Sequence, residues 1–454
     1  MRYSRLKAGL AIAGTIAGTF GVTLVQPASA DYAPAAKDVV GVGSDTLQYL
    51  VDFAADGDQT GDLGYNSAGN KFKLINFDAT ADANARLSYG PNGVGSGQCT
   101  PGTGGTAGTG NNTTTHADSP CQQNPTIVLR AGLSPVQRPN GSGAGAKALA
   151  ADTAHLITFS RASACQGPST GCGGNLSNLF DSITVGQDPL AILETTTPAS
   201  NAVPLSAQQL KLIYGCSGTG PNGAMLWNDA RLGGTSSDPV EAVIPQVGSG
   251  TRSTFLTDIG LTAPGSCVAV GEENDPTALA AQPTPADAIE PMSGGRLDLF
   301  LGLASDGVTS TGSGYFRDPS CSLNAINNSN PAACAAASNT IKPAVKLVTT
   351  GTPSDSNQLF DVNRPLFIYF RDADVNSATK WQPGSSLNAV RTLFYNPCPD
   401  NPPVPGDGCT AGTGPFAGQE FGPGGAPWFA TLTAQADISA AGIVPSYVFT
   451  PGGP

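Results

Sequence analysis

The sequence is poor in charged residues and has almost no histidine. Charged side chains make up 12% of the chain, and the only two histidines are His116 and His155. No Cys-x-x-Cys motif occurs, and neither histidine has a metal-binding or nucleophilic partner at a recognisable spacing. We therefore expect no catalytic residue, no metal site and no cofactor, and we expect that the protein is not an enzyme.

Long hydrophobic runs are missing after the first 30 residues, so no membrane-spanning segment is expected there. Residues 1–30 have the pattern of a secretory signal peptide: three basic residues, an apolar segment over 8–24 and the small-residue cleavage site Ala28-Ser-Ala30. We expect a mature protein that begins at Asp31 and is secreted, extracellular or at the cell surface. The first cysteine is Cys99, which excludes lipid attachment at the cleavage site.

An excess of basic residues is also missing. The formal net charge is −12, and removal of the signal peptide takes away three basic residues and no acidic one. A surface of this sign argues against nucleic acid and anionic membranes as partners. It does not exclude a small anion held by buried neutral dipoles.

The ten cysteines all follow the signal peptide, as expected for an oxidising compartment. Their spacing favours five short local disulfide loops, although sequence alone leaves the connectivity open. The sequence-adjacent couples are Cys99/Cys121, Cys165/Cys172, Cys216/Cys267, Cys321/Cys334 and Cys398/Cys409.

The most informative motifs in the sequence are three turns rich in glycine and in hydroxyl side chains. Each follows a short apolar run or opens a pattern of apolar residues at helical spacing; the turns are Gly41-Val-Gly-Ser-Asp-Thr46, Asn140-Gly-Ser-Gly-Ala-Gly-Ala-Lys147 and Gly248-Ser-Gly-Thr-Arg252. A turn of this kind aims backbone N–H groups, hydroxyls and the positive end of a helix dipole at one point. The sequence therefore predicts an anion site.

The alternation of strands and helices predicts an α/β architecture. Predicted strands are 127–129, 156–159, 242–244 and 366–369. A further helix is predicted over 206–214, where Ser206 and Gln209 form a capping box. The Gly/Thr-rich segment 90–118 and the Pro/Gly-rich segment 396–425 are predicted surface loops.

With these motifs in hand, the chain resembles the periplasmic phosphate-binding proteins of ABC uptake systems. The three turns are similar, in the same order, to that family's ligand-binding turns. Residues 205–214 and the segment Trp227-Asn-Asp229 are similar to its second-lobe helix and Trp-Asn-Asp segment. The resemblance implies a two-lobed type II periplasmic-binding-protein fold with a ligand cleft between the lobes. It implies lobe I over 31–190 and 360–454, and lobe II over 191–359.

The resemblance implies a ligand site built from Gly43, Ser44, Asp45, Thr46, Ser142, Gly143, Ser163, Ser249, Gly250 and Thr251. Arg252 is a further candidate on its own chemistry, because its guanidinium is suited to a bidentate pair with an oxyanion; the alternative is a solvated side chain in the first turn of the helix. Two positions depart from the family. Ser163 stands where the family has the carboxylate that accepts the proton of hydrogen phosphate, and Pro245 stands where it has an arginine. Because a hydroxyl can donate as well as accept, we expect weak discrimination between phosphate and sulfate, unless Asp45 faces the cleft.

The sequence thus predicts a secreted, monomeric solute-binding protein that captures a small oxyanion, most simply phosphate, with an ABC permease as its partner if it serves transport. Two alternatives stay open: an extracellular hydrolase of the phosphatase kind on the same site, and a cell-surface adhesion module. The Gly-x-Ser-x-Gly motif at 167–171 favours the hydrolase only weakly, because no apolar helix follows it.

Overall fold

The structure is a computed structural model. It describes residues 34–57, 64–68, 72–79, 126–134, 136–165, 180–195, 204–275, 277–280, 282–301, 345–348, 351–371, 374, 393–394 and 427–450. The predicted signal peptide, the loops predicted at 90–118 and 396–425, and the motif at 167–171 lie outside these residues. No helix in the described part combines the length and the apolar character that a membrane crossing requires.

Strands and helices alternate along the described chain. The strands are β1 Val39–Gly43, β2 Leu74–Asn76, β3 Thr126–Ile127, β4 Val136–Gln137, β5 Phe159–Ala162, β6 Phe180–Thr195, β7 Glu241–Pro245, β8 Ala269–Gly271, β9 Ala288–Ser293, β10 Val345–Leu347, β11 Val362–Arg371 and β12 Val444–Thr450. The α-helices are α1 Gln48–Asp56, α2 Ser142–Ala151, α3 Ala207–Tyr214, α4 Gly250–Asp258, α5 Thr277–Ala280, α6 Gly294–Leu301 and α7 Leu432–Ala440. The predicted α/β class is confirmed.

Ten of these strands form one mixed sheet with the order β2-β1-β5-β11-β6-β9-β7-β8, while β10 and β12 pair with β6. β1 is parallel to β2 and β5, and these three strands are called the first half of the sheet. β7 is parallel to β8 and β9, and these form the second half. The antiparallel strands β11 and β6 join the halves. This arrangement fits the predicted type II binding-protein fold, whereas the exact lobe boundaries stay a prediction.

The pairing of β6 with its neighbours is irregular near the middle of the strand. The register with β11 shifts between Leu366 and Phe367, opposite Gly186 and Thr184. The register with β12 shifts between Pro445 and Val448, opposite the same two residues. Each shift is of the kind that bends and twists a sheet locally.

Buried apolar residues stabilise the strands and helices of both halves. All five residues of β1, Val-Val-Gly-Val-Gly, are buried, as expected for a strand with parallel neighbours on both sides. In the second half, the ring of Phe255 packs against those of Tyr214 and Phe360, with centroid distances of 4.6 and 5.6 Å. These aromatic contacts fix α3 and α4 on the sheet.

Local sequence signals place several elements as predicted. Ser206 caps α3, and its capping box with Gln209 is complete. One predicted cysteine couple is confirmed, because Cys216 and Cys267 are bonded to each other. The strand predicted at 156–159 instead begins at Phe159, since pairing with β1 sets its start.

Candidate anion-binding site

The three predicted turns all lie at the carboxyl ends of strands. The first turn follows Gly43, the last residue of β1, whose φ is +116°. A Cβ atom at this position would lie 2.6 Å from the carbonyl oxygen of Arg161, so only glycine fits. Ser44, Asp45 and Thr46 follow, and all three are buried.

The second turn is in direct contact with the third, across the gap between the two halves. Gly141 has a φ of +96° and precedes α2, which begins at Ser142. A Cβ on Gly141 would lie 2.4 Å from the carbonyl oxygen of Gly248. The N–H of Gly143 donates to that same oxygen at 3.1 Å. The structure therefore has the halves closed on each other here.

The third turn opens α4. Ser249 is its N-cap, and its hydroxyl accepts from the N–H of Arg252 at 3.1 Å. A Cβ on Gly250 would lie 2.3 Å from Oγ of Ser142 and 2.4 Å from Oγ of Ser163. Glycine at position 250 thus lets α4 approach hydroxyls of the first half more closely than any side chain would allow.

Ser163 links the turns of the first half. It follows β5, and its hydroxyl accepts from that of Ser44 at 3.0 Å. It also lies 3.3 Å from the hydroxyl of Ser142, which accepts from the N–H of Ser163 at 2.9 Å. All three serines are fully buried. Three of the hydroxyls predicted to bind the ligand therefore form one cluster.

A carboxylate that sequence reasoning did not assign lies inside this cluster. Glu273 is fully buried, and its Oε1 accepts from the N–H and the hydroxyl of Thr251 at 3.2 and 2.8 Å. The same oxygen accepts from the hydroxyl of Thr46 at 3.2 Å and from that of Ser163 at 3.4 Å. Four donors from both halves thus converge on one anionic oxygen, beside the N-terminus of α4.

A buried ion pair flanks the cluster. Nε and Nη2 of Arg364, on β11, donate to Oδ2 of Asp188, on β6, at 2.9 and 2.7 Å. Nη2 also donates to the hydroxyl of Thr251 at 3.0 Å, and Nη1 to the carbonyl oxygen of Ser163 at 3.3 Å. Because Thr251 accepts from Arg364, its own proton is directed toward Glu273.

A second arginine supports the first turn from behind. Arg161 is fully buried and donates to the carbonyl oxygens of Ser44 and Gly43 at 3.0 and 3.1 Å. It also donates to the side chain of Asn76 and, at 2.9 Å, to the carbonyl oxygen of Phe77. Burial lowers the pKa of Arg161 to about 10, so it keeps its positive charge at neutral pH and adds to the positive potential at the site.

Asp45 has partners of its own in the second half. Its Oδ2 lies 3.3 Å from Nη2 of Arg296 and accepts from Nδ2 of Asn274 at 3.2 Å. The guanidinium of Arg296 also stacks over the ring of Tyr49, 4.2 Å from its centroid. Asn274 donates to the hydroxyl of Thr46 as well. Asp45 therefore contributes to closure of the halves through an ion pair next to the cluster.

Arg252 is directed away from the cluster. Its Nη1 donates to the carbonyl oxygen of Pro245, on the preceding strand, at 2.9 Å. Burial lowers the pKa of Arg252. Of the predicted site residues, the structure thus gathers the hydroxyls of Ser44, Thr46, Ser142, Ser163 and Thr251 in one place and gives the Arg252 guanidinium a backbone partner elsewhere.

Sequence reasoning missed Glu273, Asp188 and Arg364. A signal for Glu273 was present, because Glu272-Glu-Asn-Asp275 directly follows β8, and ligands in α/β sheets bind at the carboxyl ends of strands. Asp188 and Arg364 lie inside long strands and 176 residues apart, so no local motif joins them. Among the described residues, no cluster of three His, Cys, Asp or Glu side chains is suited to hold a metal ion.

Comparison with known proteins supports the expected family. Residues 128–295 match the model of the PBP superfamily domain, a segment that contains the second and third turns, Ser163 and Glu273. A comparison of the chain with curated proteins finds no match.

Similar solved structures include a protein of Clostridium perfringens assigned as a phosphate ABC transporter substrate-binding protein and solved with bound phosphate. It shares 12% identity with a TM-score of 0.38, over 78% of this chain and 92% of that one. PstS from Borrelia burgdorferi shares 12% identity with a TM-score of 0.31, over 74% and 87%. A human phosphate binding apolipoprotein shares 13% identity with a TM-score of 0.33, over 90% and 91%.

Proposed function

We propose that this chain, in which residues 128–295 match the model of the PBP superfamily domain, is a solute-binding protein that captures a small oxyanion, with phosphate as the first ligand to test. The observation that supports the proposal is the set of four donors on one oxygen of Glu273. A donor set that satisfies a buried carboxylate oxygen is chemically suited to an oxygen of phosphate.

The proposed ligand contacts come from both halves of the sheet. Ser44, Thr46, Ser142 and Ser163 line the first side, and the turn 249–251 lies opposite. The N–H of Gly143, a predicted contact, is bonded to the carbonyl oxygen of Gly248 instead. The neutral hydroxyls and amides fix the position of the anion. The two buried guanidinium groups next to them, on β5 and β11, offset part of its charge. Binding then consists of closing the halves around the ligand, with no covalent step.

Calorimetric titration of the mature protein with phosphate and with sulfate tests this proposal. Ser163→Ala removes a hydroxyl at the centre of the cluster and should weaken phosphate binding roughly tenfold, the effect expected for one hydrogen bond to a charged group. Ser253→Ala removes an exposed hydroxyl on α4 and should leave the affinity unchanged. Failure of the native protein to bind either anion would remove the oxyanion function.

The same titrations give the ratio of the two affinities. The serine at position 163 predicts a small ratio, and Asp45→Asn tests whether the carboxylate paired with Arg296 contributes to it. A large ratio that survives in Asp45→Asn would contradict this account of selectivity.

We propose that the site binds without turnover, and incubation with phosphate esters tests this against the hydrolase alternative. No phosphate should be released above background. Steady release that is lost in Ser249→Ala would favour the enzyme, although Ser249 also caps α4, so the variant must first be shown to be folded.

The proposed setting is extracellular. We propose cleavage before Asp31, a monomeric mature protein, lobe I over 31–190 and 360–454, and lobe II over 191–359. N-terminal sequencing of the exported protein and sedimentation analysis test the first two points. Copurification with an ABC permease would support a transport role, while a cell-surface adhesion module would need no oxyanion for its activity.

A further inference from the structure

Glu273 uses the hydrogen atoms that a bound oxyanion would need. A threonine hydroxyl or a backbone N–H has a single hydrogen to donate. The hydroxyls of Thr46 and Thr251 and the N–H of Thr251 all direct theirs to Oε1 of Glu273, at 2.8 to 3.2 Å. An external anion cannot receive the same three hydrogen bonds while this carboxylate stays in place.

The carboxylate also connects the two halves of the sheet. Glu273 is held in the second half, where its N–H donates to Oε1 of Gln246 at 2.7 Å. Its side chain reaches Thr46 and Ser163, which follow strands of the first half. A ligand that closes a two-lobed binding protein makes the same kind of bridge.

The second carboxylate oxygen of Glu273 is less well satisfied than the first. Oε2 of Glu273 is buried and has no hydrogen-bond partner among the described residues. The negative charge of Glu273 is therefore stabilised through the donors on Oε1. If the side chain moved away from those donors, its carboxylate would be free to contact water or another partner. A buried charge with an unsatisfied oxygen is costly. The unpaired Oε2 therefore lowers the stability of the Glu273 carboxylate in this position, and an external anion that satisfies more of its oxygens can displace it.

We propose that Glu273 is an internal ligand of the anion site: with the halves in contact, its carboxylate occupies the oxyanion position and competes with the external anion. The proposal rests on the proposed function, because the competitor is defined by the site it fills. Phosphate binding then requires that the Glu273 side chain withdraws, and the measured affinity is lower than the donors alone would give.

Glu273→Gln tests the competition. The amide keeps the size of the side chain but loses the charge, so its hydrogen bonds with the four donors are weaker. The Kd for phosphate, measured by calorimetry, should fall roughly tenfold or more. Glu273→Asp is a second test, since it keeps the charge on a side chain shorter by one methylene, and it should also lower the Kd.

Glu272→Gln is the matched control. It removes the same charge one residue away, where Oε1 accepts from the side chains of Asn140 and Gln246. It leaves the hydrogen bonds to Glu273 in place, so its gain in phosphate affinity should be clearly smaller than that of Glu273→Gln. Equal gains in Glu272→Gln and Glu273→Gln would show that net charge alone matters and would overturn the proposal.

A weaker affinity for phosphate in Glu273→Gln would also overturn it, because Glu273 would then be an acceptor for the bound anion. Small-angle scattering of the ligand-free proteins gives a readout that needs no ligand. The native protein should be compact and Glu273→Gln more extended, with both folded by circular dichroism. A native protein as extended as the variant would refute the internal ligand.

The two proposals fail separately. If no variant binds phosphate or sulfate, the oxyanion function fails, while the scattering comparison still decides whether Glu273 holds the halves together. If phosphate binds the native protein and Glu273→Gln changes neither the Kd nor the scattering, the function stands and the internal ligand is wrong.

Discussion

Replacement of Gly141 by alanine should prevent closure of the two halves without removing any hydroxyl of the site. The added Cβ would lie 2.4 Å from the carbonyl oxygen of Gly248, whereas ordinary contacts begin at 3.4 Å. The turns must therefore separate by about 1 Å, which breaks the hydrogen bond from Gly143 to the same oxygen.

The magnitude follows from two contributions to the closed state. The lost hydrogen bond is worth about 1 kcal/mol, and overpacking against backbone costs about 1–3 kcal/mol. The closed state should thus lose at least roughly 2 kcal/mol relative to the open one. This corresponds to an approximately 30-fold rise in the Kd for phosphate where the halves close on binding, and to a smaller rise where Glu273 already holds them closed. A further cost of about 1–3 kcal/mol, for backbone strain at a φ of +96° and a ψ of 166°, applies whether the halves are open or closed.

Gly132→Ala is the control for that strain. Gly132 has a φ of +86°, close to the +96° of Gly141, but a Cβ there would meet no atom within 4 Å. In urea unfolding both variants should lose the strain energy, and Gly141→Ala should lose in addition the cost of the contact with Gly248. Only Gly141→Ala should lose phosphate affinity in calorimetry. Equal phosphate affinities in the two variants would refute the role given to the contact between Gly141 and Gly248.

Three further predictions concern a hydroxyl, a disulfide and a buried acid. Thr251→Val should weaken phosphate binding roughly tenfold, while Thr257→Val, on the exposed side of the same helix, should leave calorimetric affinity unchanged. Replacing Cys216 and Cys267 by serine opens a loop of 51 residues and should cost about 4 kcal/mol in the free energy of unfolding; an unchanged urea midpoint would contradict this. Burial, with two nearby carboxylates, raises the pKa of Glu290 well above its ordinary value, so the folded state holds a proton that the unfolded state releases. Stability should therefore fall as the pH rises above the ordinary pKa of glutamic acid, by up to about 1.4 kcal/mol per pH unit, and Glu290→Gln should flatten that slope in urea unfolding at several pH values.

The sequence allowed prediction of those parts of the site that local signals encode. Gly43 and Gly250 stand where a side chain would collide with neighbouring atoms, and the strand–turn–helix pattern around them is visible in a dozen residues. The capping box at Ser206 is equally local. The α/β class follows from the same alternation of short elements.

Contacts between residues far apart in the sequence could not be predicted from these local signals. The orientation of the Arg252 side chain depends on whether a backbone carbonyl or a ligand is the nearer acceptor, which only the packed turn determines. The ion pair of Asp188 and Arg364 depends on the pairing of two long strands. Glu273 required knowledge that β8 lies at the edge of the second half, so that the loop after it reaches the cluster.

The irregular pairing in the middle of β6 has a mechanical consequence. Both register shifts fall opposite Thr184 and Gly186, and Val185 between them has no paired residue in either ladder. The sheet therefore has a crease, a line across β11, β6 and β12 along which the regular pairing is interrupted. Bending along this line would change the angle between the halves while the ladders on either side stay paired, so a small change in the middle of β6 would separate the turns at the ends of the strands.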